Sequence, residues 1–355
     1  MTRIGILSAS SQVGSSVAFF LQTFPDLEIT CFVRSTYSLP FFEMLGIKAQ
    51  FLDLRDERDL SEKIGNMDAI LDFGYPAGQL HEILDKSRQN IGQVLRSLKK
   101  GSQFFYMSSI MAHGMPAGEK FVRSYHFPRT SYAYIKRGIE KYTTALGRQL
   151  GVQVYNLRLG QVHGFLQSVN GSFRKKLLDT DLALVDGNPD DPVNIIFIHS
   201  LCEAILDCVN GKHPPGLYTL VSDPQWTLKE LYEYYLRYYD LPAHVGYAGD
   251  PQKRKGKTLL QRVIDLARPY RSLLETYVLI RFPAIATRMK GRFRQMESMQ
   301  QGRGPSGKLD FIDFNLLGKP PTRVISGRTT GPSETFRIEK EKENYYNSKI
   351  AERRL

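Results

Sequence analysis

The hydrophobic positions of the first 250 residues fall into two alternating rhythms. Short, nearly continuous apolar runs read as strands buried on both faces: Arg3 to Leu7, Glu28 to Arg34, Ala49 to Leu54, Ala69 to Tyr75, Phe104 to Ser109, Val152 to Leu157 and Leu217 to Leu220. Between them, residues 13–23, 78–98 and 130–148 repeat apolar side chains at helical spacing. Thr227, followed three residues later by Glu230, is the capping signature of a further helix. Strand-helix units in this order predict an α/β chain, a doubly wound and mostly parallel sheet with helices on both faces.

Beyond residue 250 the rhythm changes. Leu259, Leu260, Val263, Ile264, Leu266 and Leu273 recur at helical spacing, interleaved with Arg262, Arg268 and Arg271 and broken by Pro269 and Pro283. Gly302 to Gly307 reads as a linker, and the charged stretch from Glu334 as a surface helix or frayed tail. Charge follows the same division. Residues 251–355 carry 23 Lys and Arg against 10 Asp and Glu, whereas the first 250 carry 25 against 26, so the net +12 belongs to the C-terminal segment. Two readings of residues 258–300 stay open, peripheral contact with an anionic membrane face or packing on the chain's own lobe or in a homodimer. No nucleic-acid reading motif accompanies the charge, so no nucleic-acid partner is expected.

Three cysteines, Cys31, Cys202 and Cys208, fit a reducing compartment, and no secretory signal or apolar run of eighteen residues is visible. The expected location is cytoplasmic. Seven histidines lack metal spacing, so no metal is expected.

Chemistry enters at Tyr132-Ala133-Tyr134-Ile135-Lys136. On a helix Tyr132 and Lys136 share a face, placing an ammonium beside a phenol. A free tyrosine has a pKa of about 10, and lowering it by roughly 3 units takes about 4 kcal/mol of preference for the anion. Upstream, Ser108-Ser109 ends an apolar run, and a serine- and glycine-containing turn at residues 8–14 separates the first strand from the first helix, where backbone amides can hold a pyrophosphate.

Together these residues resemble the extended short-chain dehydrogenase/reductase family, the nucleotide-sugar epimerases, dehydratases and reductases, from residue 3 to about 236. The resemblance implies a Rossmann-type sheet with a small C-terminal substrate lobe. Ser109 would orient the substrate oxygen, Tyr132 exchange its proton, and Lys136 lower the tyrosine pKa and hold the nicotinamide ribose. The family's Gly-x-x-Gly-x-x-Gly stands here as Ser8, Ser11 and Gly14, a modified phosphate loop. Cofactor contacts are expected from Ser8, Ser11, Gln12, Val13, Gly14, Arg34, Ser35, Asp53, Leu54, Phe73 and Gly74 as well as Tyr132 and Lys136, and Asn90 matches an asparagine that fixes local backbone. Arg34 occupies the place of the acid that selects NAD, so NADP is favoured over NAD.

His113 and His163 stand where tyrosines are common, either facing substrate or as simple aromatic replacements. Arg174, beside Lys175 and Lys176, could neutralise a nucleotide diphosphate. The implied division is a dinucleotide-binding domain over 1–165 with a return segment at 190–212, a substrate lobe at 166–189 and 213–250, a basic segment at 251–303 and a C-terminal segment at 304–355. The implied activity is NAD(P)-dependent epimerisation or reduction at a carbinol or ketone carbon of a nucleotide sugar. A 4,6-dehydratase is disfavoured, since Ile110-Met111 follow Ser109 where that subgroup carries Asp-Glu. The alternatives are a reductase of another small carbonyl or lipid, or a non-catalytic cofactor-sensing protein on the same fold.

Overall fold

The computed structural model of the chain describes residues 1–76, 80–113, 115–116, 126–127, 131–178, 182–185, 188–247 and 331–352. The basic segment 258–300 and the linker after it lie outside the described residues. Seven strands form one parallel sheet: β1 (Thr2–Leu7), β2 (Leu27–Val33), β3 (Ala49–Phe51), β4 (Ala69–Asp72), β5 (Gln103–Ser109), β6 (Gln153–Leu159) and β7 (Gly216–Leu220). Their order is β3-β2-β1-β4-β5-β6-β7. From β1 the chain moves outward to β2 and β3, then returns to the other side of β1 as β4. The loops leaving β1 and β4 therefore diverge and open a crevice at the carboxyl ends of the strands.

Alternating side chains supply both faces of this sheet. Ile4, Ile6, Cys31, Leu71, Phe105 and Met107 pack with α1 (Gln12–Leu21), α2 (Leu39–Met44) and α7 (Ile198–Val209). On the other face, Phe32, Ile70, Phe104 and Tyr106 pack with α3 (Glu57–Ile64), α4 (Leu80–Ser97) and α5 (Ser131–Leu150). Burying each such side chain contributes about 1.5–3 kcal/mol.

A third core, largely aromatic, forms the C-terminal lobe around α6 (Ser168–Leu178) and α8 (Leu228–Tyr239). Phe173 stacks on Tyr235 with centroids 4.3 Å apart. Thr227 and Glu230 close the expected capping box at the start of α8.

Of the two readings of the C-terminal stretch, surface helix or frayed tail, the helix forms, and it is docked rather than free. Residues Pro332–Glu352 form a helix, α9, that bridges both lobes. Tyr345 and Tyr346 pack on Phe19 of α1, while Phe336 packs on Tyr234 and Tyr238 of α8. Fully buried Glu339 accepts the Phe165 backbone N–H at 2.9 Å and lies 3.3 Å from His199 Nδ1. Lys342 donates to Thr23 Oγ1 at 3.0 Å, and the Tyr238 hydroxyl donates to Glu343 Oε2 at 2.9 Å.

Candidate active site

The crevice begins at the turn between β1 and α1. Ser8 adopts φ +52°, the left-handed conformation a glycine would take without penalty. Holding a serine there costs about 1–2 kcal/mol. Ser11 behaves differently: its φ is −68°, and its Oγ caps α1 by accepting the Gly14 N–H at 3.2 Å. The hydroxyl thus occupies an amide that a phosphate could have used. Gly14 itself is required by packing, because a Cβ there would meet Ser11 Oγ at 2.8 Å and the Ser8 carbonyl oxygen at 3.0 Å.

Half-buried Val13 packs into the core beside this turn. Gln12 ties the first turn of α1 to the segment before α6: its side-chain oxygen accepts from Ser168 Oγ at 3.2 Å, and its carbonyl accepts from Gln167 Nε2 at 3.1 Å.

A pocket of about 450 Å³, counting space open to solvent, lies between the loops that follow β1, β2, β3 and β4 and the face of α4. It brings together Ser8, Arg34, Leu54 and Gly74, all expected near the cofactor from sequence, with Asn90, which was expected to fix local backbone. Arg34 is exposed, and no carboxylate among the described residues pairs with it. Three other expected contacts are not lining residues. Asp53 is held by Arg55 at 3.0 Å, which keeps its carboxyl below the usual range. Ser35 caps a short turn by accepting the Tyr37 N–H, and Phe73 packs against the core.

The pocket also contains groups that sequence reasoning passed over. Asp72, ending β4, is buried, and its Oδ1 accepts the Gly74 N–H at 2.8 Å. Burial pushes its carboxyl up to about 6, against the opposing pull of the Gly74 N–H and Lys136. The hydroxyls of Ser87 and Tyr106 are buried with no hydrogen-bond partner among the described residues, and both residues line the pocket. The clue to Asp72 was an acid closing an otherwise apolar strand.

Beyond Tyr75 the pocket gives way to the residues singled out for chemistry. Ser109 ends β5, and Tyr132 and Lys136 lie one turn apart on α5. Ser109 lies beside Tyr132 and pulls its phenol downward, the Tyr132 ring packs on Tyr75 at 5.4 Å, and Ser109 Oγ accepts the Met111 N–H at 3.3 Å. The Lys136 ammonium is buried, donates to the Met107 carbonyl at 2.7 Å, and sits 4.8, 5.5 and 5.8 Å from the ring centres of Tyr106, Tyr75 and Tyr132.

The three residues are thus brought together, but their electrostatics differ from expectation. Burial raises the Tyr132 phenol above its ordinary value, with Ser109 pulling the other way. Burial also lowers the Lys136 ammonium to about 8, opposed by the negative charges of Asp72 and Glu140. The lysine spends its hydrogen bond on β5 and its own charge is penalised, so the expected depression of the tyrosine by Lys136 is absent here. What remains is a serine-tyrosine pair that can pass a proton at the crevice mouth.

Both candidate histidines are corrected to structural roles. His113 is buried, and Arg158 Nη1, which can only donate, meets its Nδ1 at 2.9 Å. Its Nε2 therefore carries the proton and donates to Thr219 Oγ1 at 2.8 Å. Arg158 also grips Glu140 with two hydrogen bonds of 2.9 and 2.7 Å, and Glu140 accepts from Ser108 Oγ at 2.5 Å. His163 has no exposed surface and contacts Tyr235 and Gln161. Burial drops its imidazole to about 3. Arg174 is exposed and lies over the Tyr239 ring at 5.6 Å.

Among the described residues no His, Cys, Asp and Glu group has the makings of a metal site. Nor is any described helix long and apolar enough to cross a membrane.

Comparison with known proteins places this geometry. The model of the NAD dependent epimerase/dehydratase family matches residues 6–184. No protein of curated function matches the sequence significantly. Among solved structures, a UDP-N-acetylglucosamine 4-epimerase from Methanobrevibacter ruminantium M1, in complex with UDP-N-acetylmuramic acid, is similar at 18% identity and TM-score 0.53, covering 70% of this chain and 86% of that one. A UDP-glucuronic acid 4-epimerase from Bacillus cereus, in complex with UDP-glucuronic acid and NAD, is similar at 14% identity and TM-score 0.53, covering 77% and 99%. A dTDP-glucose 4,6-dehydratase from Streptomyces venezuelae, with NAD bound, is similar at 17% identity and TM-score 0.53, covering 77% and 98%. At these identities the likeness is one of fold.

Proposed function

Because the chain belongs to the NAD dependent epimerase/dehydratase family, we propose that it moves a hydride at a carbinol or ketone carbon of a nucleotide sugar, as an epimerase or a reductase, with NADP favoured over NAD. The observation that carries this reading is the placing of Ser109, Tyr132 and Lys136 together beside a pocket that opens at the β1/β4 crevice. The pocket suits a dinucleotide. The Ser87 and Tyr106 hydroxyls, without a hydrogen-bond partner among the described residues, supply polar contacts for a ligand. When bound, the nicotinamide supplies and receives the hydride.

The protein's own residues do the rest. Ser109 orients the sugar oxygen, Tyr132 gives or takes its proton, and Lys136 holds the nicotinamide ribose. Arg34, with no carboxylate partner, is suited to a 2′-phosphate. The substrate lobe, residues 166–189 and 213–250, would take the nucleotide, with exposed Arg174 available for its phosphates.

A second reading, a dinucleotide sensor without turnover, is favoured by one observation: Ser11 Oγ already satisfies the Gly14 amide. Titration of NADP and NAD against the protein and its Arg34→Ala variant tests the cofactor part. Preference for NADP that collapses in the variant is expected, and equal affinities in the parent protein would sink it.

A further inference from the structure

Among the described residues, Asp72 is the one carboxylate that lines the pocket. Its placement follows from the sheet, since β4 lies between β1 and β5 and the strand register sets Asp72 beside Leu7 on one side and Tyr106 on the other. A Cβ built on Gly74 would lie 2.8 Å from Asp72 Oδ1 and 3.3 Å from Ser8 Oγ. The carboxylate and the phosphate-loop serine therefore flank the same small volume. An anionic group resting on the start of α1 would enter that volume with a carboxylate already at its edge.

We propose that Asp72 is a ligand-contacting acid that takes up a proton when a dinucleotide binds, and donates it to an oxygen of that ligand. This rests on the dinucleotide reading above. Repulsion between a phosphate and an ionised carboxylate in a partly desolvated site favours the neutral acid. The acid then becomes a donor beside the hydroxyls of Ser8, Ser87, Tyr75 and Tyr106 and the amide of Asn90, with the Arg34 guanidinium the one cation among the lining residues described.

The surroundings favour the same charge state. Asp72 is buried, and its carboxyl already sits at about 6. The groups around it are Gly74 N–H on its own loop, Ser8 after β1, Tyr106 from β5 with its hydroxyl unpartnered among the described residues, and Lys136 from α5, whose charge acts on it. The lining also holds Arg34 after β2, Tyr75 on Asp72's own loop, whose phenol burial raises, and the neutral Ser87 and Asn90 of α4. Lys136 divides its attraction between Asp72 and Glu140 and gives its hydrogen bond to Met107.

The sign is fixed by linkage. Below the carboxyl's own value the acid is already protonated and binding costs nothing extra. Above that value each binding event draws a proton from solvent, and affinity falls by up to about tenfold per pH unit.

The test is the affinity of NADPH and NADH, read by nicotinamide fluorescence between about pH 5.5 and 7, for the full chain and Asp72→Asn. Asparagine keeps the acceptor for the Gly74 N–H. The protein should lose up to about tenfold in affinity between about pH 6 and 7. Asp72→Asn should be flat over that window and bind more tightly at its upper end. Should the variant fold poorly, calorimetry of the parent protein in two buffers of different ionisation enthalpy should show proton uptake on binding. An unchanged slope in Asp72→Asn, or no proton uptake, overturns the proposal while leaving the dinucleotide reading standing. Failure of both dinucleotides to bind the parent protein at any pH overturns that reading, and the proposal with it.

Discussion

His163 shows how a single buried residue ties stability to pH. Its imidazole is held neutral down to about 3 in the folded protein, whereas an unfolded chain protonates it near 6.5. The unfolded state therefore binds more protons between those values. Stability should fall as pH drops through that window, by up to about 1.4 kcal/mol per unit. Urea unfolding from about pH 7 to 5 should show this slope in the parent protein and a reduced slope in His163→Gln. The same residue marks a limit of sequence reading. A histidine where relatives carry tyrosine looks like a substrate contact, yet only the packing of Phe173, Phe197 and Tyr235 around it reveals a core position. Ser8 was the opposite case. Its match to a glycine position was legible, and the positive φ agrees with it.

At the scale of elements, α5 and β5 are held together by the buried network of Ser108, Glu140, Arg158 and His113. Removing Glu140 leaves the buried Arg158 guanidinium without its counter-charge and Ser108 Oγ without its acceptor, so Glu140→Ala should cost about 3–5 kcal/mol, measured by denaturant unfolding. A cost under about 1 kcal/mol would mean the network is dispensable. Because Tyr132 and Lys136 ride on the same helix, the network also fixes the chemistry against the sheet. The strands and helices around it were readable because apolar runs and helical spacing directly reflect burial. For α9 a helix was readable but its docking was not, because its charged composition hides a face made of Phe336, Glu339, Tyr345 and Tyr346. Glu339→Ala should cost about 1–3 kcal/mol by leaving the Phe165 N–H without this acceptor, and a melting temperature identical to that of the parent protein would contradict the bridging role.

Across the whole molecule, strand order creates the crevice, α4 and the β4 loop shape a pocket beside it, and α5 brings a proton-transfer pair to its mouth. The C-terminal lobe is joined to this body twice, through the Gln12 contacts of α6 and through α9. Such a body suits a two-part ligand, with a dinucleotide on the sheet and a second nucleotide against the lobe. The most direct measurement is conversion of a panel of nucleotide sugars by protein supplied with NADP or NAD, comparing the parent chain with Tyr132→Phe. The account predicts turnover on at least one sugar and a fall of about 10²-fold or more in the variant, with dinucleotide affinity little changed. Equal turnover by both proteins would contradict the assignment of Tyr132 as the acid and base of the reaction.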